Sequence, residues 1–150
     1  MSDIEKKVYT YIGENPGSVA WRIHKHCKII QKHLNEDEEV LFAFVGQKND
    51  EFYNIFTTAV LVLTDQRLMI AQKRVLFGYF FKSITTEMFN DLSVYSGLFW
   101  GKVKIDTVKE TVVLSNVSKK GLDDIESNIT LHMMRNEDNN RTKEKKKNNK

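Results

Sequence analysis

Residues 59–63 read AVLVL, residues 67–71 read RLMIA, and only Thr64, Asp65 and Gln66 separate them. Two apolar runs around a short polar break read as a β-hairpin. No other stretch limits the choice of fold as strongly. A further apolar block, VLFGYFF at 75–81, follows at once and ends in the alternating Lys82, Ser83 and Ile84. These segments place the centre of a small antiparallel sheet here.

Strand-like patterning extends in both directions. Residues 40–45 (VLFAFV) form a strand, and 46–51 form a polar turn. Residues 52–56 and 59–63 are one long strand or two meeting at Thr57 and Thr58. The strands 67–73 and 79–86 come next, and 87–91 is a turn or a single helical turn. Residues 92–96, the alternating 102–106 (KVKID) and 111–114 complete about seven strands. Short strands at even spacing predict an all-β sandwich or partly open barrel. Nine phenylalanines and five tyrosines agree with a β-rich core.

Helical periodicity marks both flanks. Ser2 and Glu5 match a capping box, and Ile4, Val8 and Ile12 follow at four-residue spacing until Gly13 and Pro16 stop the helix. Ser18 is placed to cap a second helix with the stripe Val19, Ile23, Cys27, Ile30 and Leu34. Helices this short must pack on the following domain or on another subunit. Ser118 is expected to cap a last helix to 134, with Leu122, Ile125, Ile129 and Met133 buried. Beyond Arg135 only Asn, Lys, Arg, Glu, Asp and Thr remain, which predicts a disordered tail. The expected organisation is a helical extension at 1–34, a β domain at 35–134 and a basic tail at 135–150.

The net charge of +3 is unevenly spread. Residues 1–39 carry six Lys/Arg against seven Asp/Glu, and 40–134 carry ten against ten, so the basic excess lies in the tail, with seven against three. The folded part is near neutral, and nucleic acid is not expected as a partner. The single Cys27 rules out an intrachain disulfide and suits a reducing compartment. No run reaches the roughly 20 apolar residues of a membrane span, and the N-terminus lacks a signal-peptide layout. A cytoplasmic location is the expectation.

At this point two motifs bear on family. VLTDQRLMI at 62–70 resembles the V-L-T-[DN]-x-R-L strand-turn-strand of bacterial pleckstrin-homology-like (PH-like) domains. SGLFWGKVKI at 96–105 is similar to their G-L-x-x-G hairpin, and the helix at 118–134 falls where theirs caps the barrel. The resemblance covers about residues 34–134. It implies a PH-like seven-stranded barrel, mainly β with helices, used as a binding or self-assembling module. Eukaryotic PH domains bind phosphoinositides through a basic pattern around the first hairpin. Here that hairpin reads GQKNDEF at 46–52, and the pattern is absent.

Candidate sites divide by chemistry. His24, His26, Cys27, His33 and His132 offer no CxxC or HxxxH spacing, so no metal or other cofactor is expected. No nucleophile elbow, P-loop or dinucleotide glycine pattern occurs, and no enzyme is expected. The aromatic group Phe77, Tyr79, Phe80, Phe81, Leu98, Phe99 and Trp100 cannot all enter one small core, because Phe80 and Phe81 point to opposite faces of a strand. It is either covered by the N-terminal helices or forms an interface with a second copy or another protein. The cations Lys73, Arg74, Lys82, Lys102 and Lys104 alternate with apolar residues, as on a solvated sheet face. With the tail, they are the alternative site, for membrane lipid or another anionic ligand. The first reading, a binding and homo-oligomerising module, is the favoured one.

Overall fold

The computed structural model describes residues 1–49 and 53–149. Residues 50–52, where a turn and the start of a strand were expected, lie outside the described residues, as does Lys150 of the tail. Seven strands form one antiparallel sheet: β1 (Val40–Lys48), β2 (Thr58–Thr64), β3 (Arg67–Lys73), β4 (Tyr79–Thr85), β5 (Phe89–Ser96), β6 (Gly101–Thr107) and β7 (Thr111–Val117). Their order is β4-β3-β2-β1-β7-β6-β5. Residues 55–57, expected in a strand, instead make a 3₁₀ turn before β2, with the Asn54 side chain accepting from the Phe56 amide.

The sheet is strongly curled. Laid flat, β1 and β4 would stand three strand spacings apart, about 14 Å. Yet Lys48 Nζ at the end of β1 lies 3.6 Å from the centre of the Phe80 ring on β4. Lys82 of β4 likewise forms an ion pair with Glu110 in the β6–β7 turn. This is the partly open barrel.

Every residue of β2 is buried. Its alternate side chains enter the barrel, while the others meet the N-terminal helices α1 (Asp3–Glu14) and α2 (Ile23–His33), which pack on β1 and on β2–β3 respectively. A strand covered on both faces needs no polar alternation, which explains the unbroken AVLVL. The capping box at Ser2 and Glu5 is present with both bonds. Helix α3 (Leu122–Asn148) packs on β5 and buries Leu122, Ile125, Ile129 and Met133.

Three local expectations are corrected. Ser18 does not cap α2: its hydroxyl donates to the Asn15 carbonyl at 2.6 Å, and α2 starts after Arg22, which adopts a left-handed conformation with φ 54°. Ser118 does not cap α3 either, because its hydroxyl donates to Pro16 O at 2.9 Å and ties the start of that helix to the end of α1. Residues 135–148, expected to be disordered, continue α3 as helix. Past Gly121 the segment has no Gly or Pro and is rich in helix-forming Lys, Arg and Glu, so it supports a helix while burying almost nothing.

Candidate functional site

The V-L-T-D-x-R-L motif builds scaffold. Thr64 Oγ1 accepts from the amides of Gln66 and Arg67 and so closes the β2–β3 turn. The Asp65 side chain reaches back and accepts from the Glu39 amide at 2.9 Å. Arg67 donates from Nε and an Nη to the two oxygens of Glu38, at 2.9 and 3.0 Å. It also reaches His33 O at 2.6 Å and Ser83 Oγ at 3.2 Å. One guanidinium therefore joins β3, β4, the end of α2 and the α2–β1 linker. Burial alone would push the Glu38 carboxyl up, but Arg67, Thr64 and the Asn35 amide together hold it below its ordinary value.

A second clasp joins α2 to β3. His26 is fully buried, with Nε2 2.9 Å from Trp21 O and Nδ1 2.7 Å from the Lys73 amide nitrogen. A carbonyl only accepts and an amide only donates, so the ring is neutral with its proton on Nε2. Glu5 of α1 similarly holds His24 of α2.

The aromatic group is split between two hairpins. Phe81 stacks on His33 of α2, with ring centres 3.9 Å apart, and Tyr79 meets the same imidazole edge-on. Phe80, on the opposite face of β4, lies under Lys48. These three rings are thus covered, at least in part, by the chain itself. The turns are different. Leu76 and Phe77 in the β3–β4 turn are 82% and 85% exposed, and Leu98 and Phe99 in the β5–β6 turn are 83% and 74% exposed.

The β5–β6 turn is a built feature. The Gly97 amide donates to Trp100 O at 2.9 Å, and a Cβ on Gly97 would sit 2.8 Å from that oxygen. Only glycine closes this loop without a clash. Closure leaves Leu98 and Phe99 outward, while Trp100 stacks on Tyr53 with ring centres 5.5 Å apart. The turn flanks a shallow cleft of about 360 Å³ that Tyr95, Lys102 and Asn116 also line. The sequence reading missed Tyr53, Tyr95, Trp21 and Phe56; the last two make an edge contact at 5.2 Å.

The cation set is split as well. Lys102 and Lys104 stand half-buried on β6, alternating with buried Val103 and Ile105. Lys73 lies at the α2 clasp through its backbone. Arg74 and Lys82 instead converge with Lys48 and Lys109, neither of which the sequence singled out. Lys48 feels both Arg74 and Lys82, and Lys82 feels Lys109. Burial, then these neighbours, push the Lys48 and Lys82 ammonium groups below their ordinary values.

With this geometry in place, the comparisons with known proteins are decisive for the family. The bacterial PH domain matches residues 34–138. The chain belongs to the bacterial PH domain family. Its structure is similar to that of a DUF1696 family protein with a pleckstrin-homology domain from Shewanella loihica PV-4, at 18% identity and TM-score 0.46, over 73% of this chain and 87% of that one. A pleckstrin homology domain from Shewanella amazonensis SB2B is similar at 16% identity and TM-score 0.43, over 77% and 89%. No curated protein matches. The family match begins at Leu34, just past the end of α2, so α1 and α2 both lie outside the matched region. Among the described residues, no helix is long and apolar enough to cross a membrane.

Proposed function

We propose that this bacterial PH domain is a non-catalytic binding module that assembles with further copies of itself through the β5–β6 turn. The observation that carries the reading is the exposure of Leu98 and Phe99 on a loop that Gly97 holds closed. Exposing two large apolar side chains on a rigid turn has no role in the fold, and contiguous exposed apolar surface marks interaction sites. Trp100, held flat against Tyr53, gives the patch a preformed aromatic base of the kind that anchors protein interfaces.

Light scattering behind size exclusion at two protein concentrations tests this. The expected mass is a concentration-stable multiple of 17.5 kDa that falls to a single chain in the Leu98→Ser/Phe99→Ser variant. A wild-type monomer at both concentrations overturns self-assembly and directs the same surface to a different protein. An oligomer unchanged by the variant removes the turn from the contact.

A further inference from the structure

Helix α1 and the matched PH region enclose a crevice between them. The second half of α1, residues 41–43 of β1 and the first turn of α3 line about 260 Å³ of space. Its floor is apolar. The Tyr11 and Phe42 rings meet edge to face there, with centres 6.1 Å apart, and Leu41 extends the same surface outward. Its rim carries the exposed carboxylates of Glu14 and Asp124 against the single ammonium of Lys7. Among the described residues none of these three has an ion-pair partner.

The rim alone would be an ordinary wet surface. Tyr11 sets the crevice apart. Its side chain is 4% exposed, yet its hydroxyl has no hydrogen-bond partner. The Asn15 amide nitrogen donates to Tyr11 O at 2.8 Å, and its side-chain oxygen crowds Gly121 together with the Tyr11 hydroxyl. A buried hydroxyl without a partner costs stability that a phenylalanine here would not lose. Packing therefore does not account for this oxygen. Burial, and then the nearby Asp124 carboxylate, push the phenol well above its ordinary value, so it stays neutral.

The polar groups left open here are the Tyr11 hydroxyl, the Asn15 side-chain oxygen and two carboxylates. All four accept hydrogen bonds, and only the hydroxyl also donates. Such a set selects a cation rich in N–H donors. The aromatic corner and aliphatic wall beneath it select a cation carried on a methylene stem. A bare metal ion is poorly served, because hard cations take about six oxygen ligands. No group of three His, Cys, Asp or Glu that could hold one occurs among the described residues.

We propose that the crevice between α1, β1 and α3 binds an alkylammonium group, its charge held by Glu14 and Asp124 and its stem by Tyr11 and Phe42. None of the lining residues belongs to the β5–β6 turn, so the proposal stands whether or not the chain self-assembles.

The test is titration of the full chain with cadaverine and with N-acetyl-lysine methylamide, read by backbone amide NMR shifts. Saturable shifts confined to α1, β1 and the start of α3 are expected with at least one of them. Neutral pentanol should produce none at the same concentrations. Glu14→Gln/Asp124→Asn should weaken binding about tenfold or more, since two charge-assisted contacts are lost. Lys7→Gln should tighten it, an effect of opposite sign that damage to the surface would not produce. Tyr11→Phe should melt no lower than the wild type and still bind less tightly, which a merely structural hydroxyl would not do. The absence of saturable shifts with both amines overturns the proposal. So does binding unaltered in Glu14→Gln/Asp124→Asn, or pentanol binding as tightly as the amines. The tighter ligand identifies the source: cadaverine points to a free polyamine, and the blocked lysine to a lysine side chain of a partner protein.

Discussion

The β2–β3 and β5–β6 hairpins are both tight turns between apolar strands, and both carry wording shared with the bacterial PH-like domains. They are used in contrary ways. In the first, every polar side chain has a partner: Thr64 closes the turn, Asp65 holds Glu39, and Arg67 spends its guanidinium on Glu38, His33 and Ser83. In the second, the closing bond is between backbone atoms, Gly97 to Trp100, and the side chains between them are left outward. A shared motif can therefore mark either a joint or a display. What separates the two is whether its side chains are consumed inside the chain.

The joint is where substitution should cost most. Arg67→Ala leaves the Glu38 carboxylate buried with Thr64 and the Asn35 amide as its remaining donors. Breaking a buried pair from one side costs about 3–5 kcal/mol, and the low end applies because Arg67 keeps some solvent contact. Urea unfolding should show that loss, a large share of the 5–15 kcal/mol typical of a domain. Glu38→Leu/Arg67→Met, which removes both charges, should recover much of it. A single-variant loss below about 1 kcal/mol would mean that the joint behaves as a surface ion pair.

The second-largest effect belongs to the other clasp. Burial pushes the His26 imidazole down to about 4 from 6.5, against the opposing bond to Trp21 O and with Arg22 adding to the shift. A depressed folded value means the unfolded chain binds the proton more tightly. The stabilisation is thus complete above about 6.5 and is lost as pH falls toward 4. About 3 kcal/mol should disappear across that window, since protonated Nδ1 would face the Lys73 amide hydrogen. Glu5 and Glu38, both held below their ordinary values, add their own losses at more acid pH. Urea midpoints in steps from neutral to acid measure the slope, and His26→Gln should flatten its upper part.

How much of this was legible in the sequence depended on the kind of signal. Burial writes itself as periodicity, so the stripes Ile4, Val8 and Leu122, Ile125, Ile129, Met133 were readable, and the boundaries of β3 at 67–73 came out as expected. Caps did not read as well. Ser18 and Ser118 have the composition of N-caps, yet each hydroxyl is taken by a carbonyl near the α1 terminus, Asn15 in one case and Pro16 in the other. Only the tertiary structure brings Pro16 to Ser118. The helix past Arg135 was missed because periodicity reports burial and this segment buries almost nothing. The pairing of Arg67 with Glu38 spans 29 residues, and the gathering of Lys48, Arg74, Lys82 and Lys109 depends on the curl of the sheet. Neither leaves a mark in local sequence. The exposed turn was legible because Leu98, Phe99 and Trp100 stand between two glycines with no strand alternation to absorb them.

The smallest effect on the fold is expected at that turn, and it is there that joint and display can be told apart within one loop. Leu98→Ser/Phe99→Ser removes side chains that are largely in water, so unfolding free energy should move by no more than about 0.5 kcal/mol. Gly97→Ala in the same turn adds one methyl, yet places it 2.8 Å from a backbone oxygen that cannot step aside without opening the Gly97–Trp100 bond. That change should cost about 1–3 kcal/mol, the usual range for forcing an atom into filled space. Thermal melts of the two variants side by side give the comparison. If the double serine variant were the more damaging of the two, Leu98 and Phe99 would be packing residues in solution, and the display reading of the hairpin would fail. If the order is as expected, backbone closure belongs to the fold and the outward side chains are free to serve another molecule.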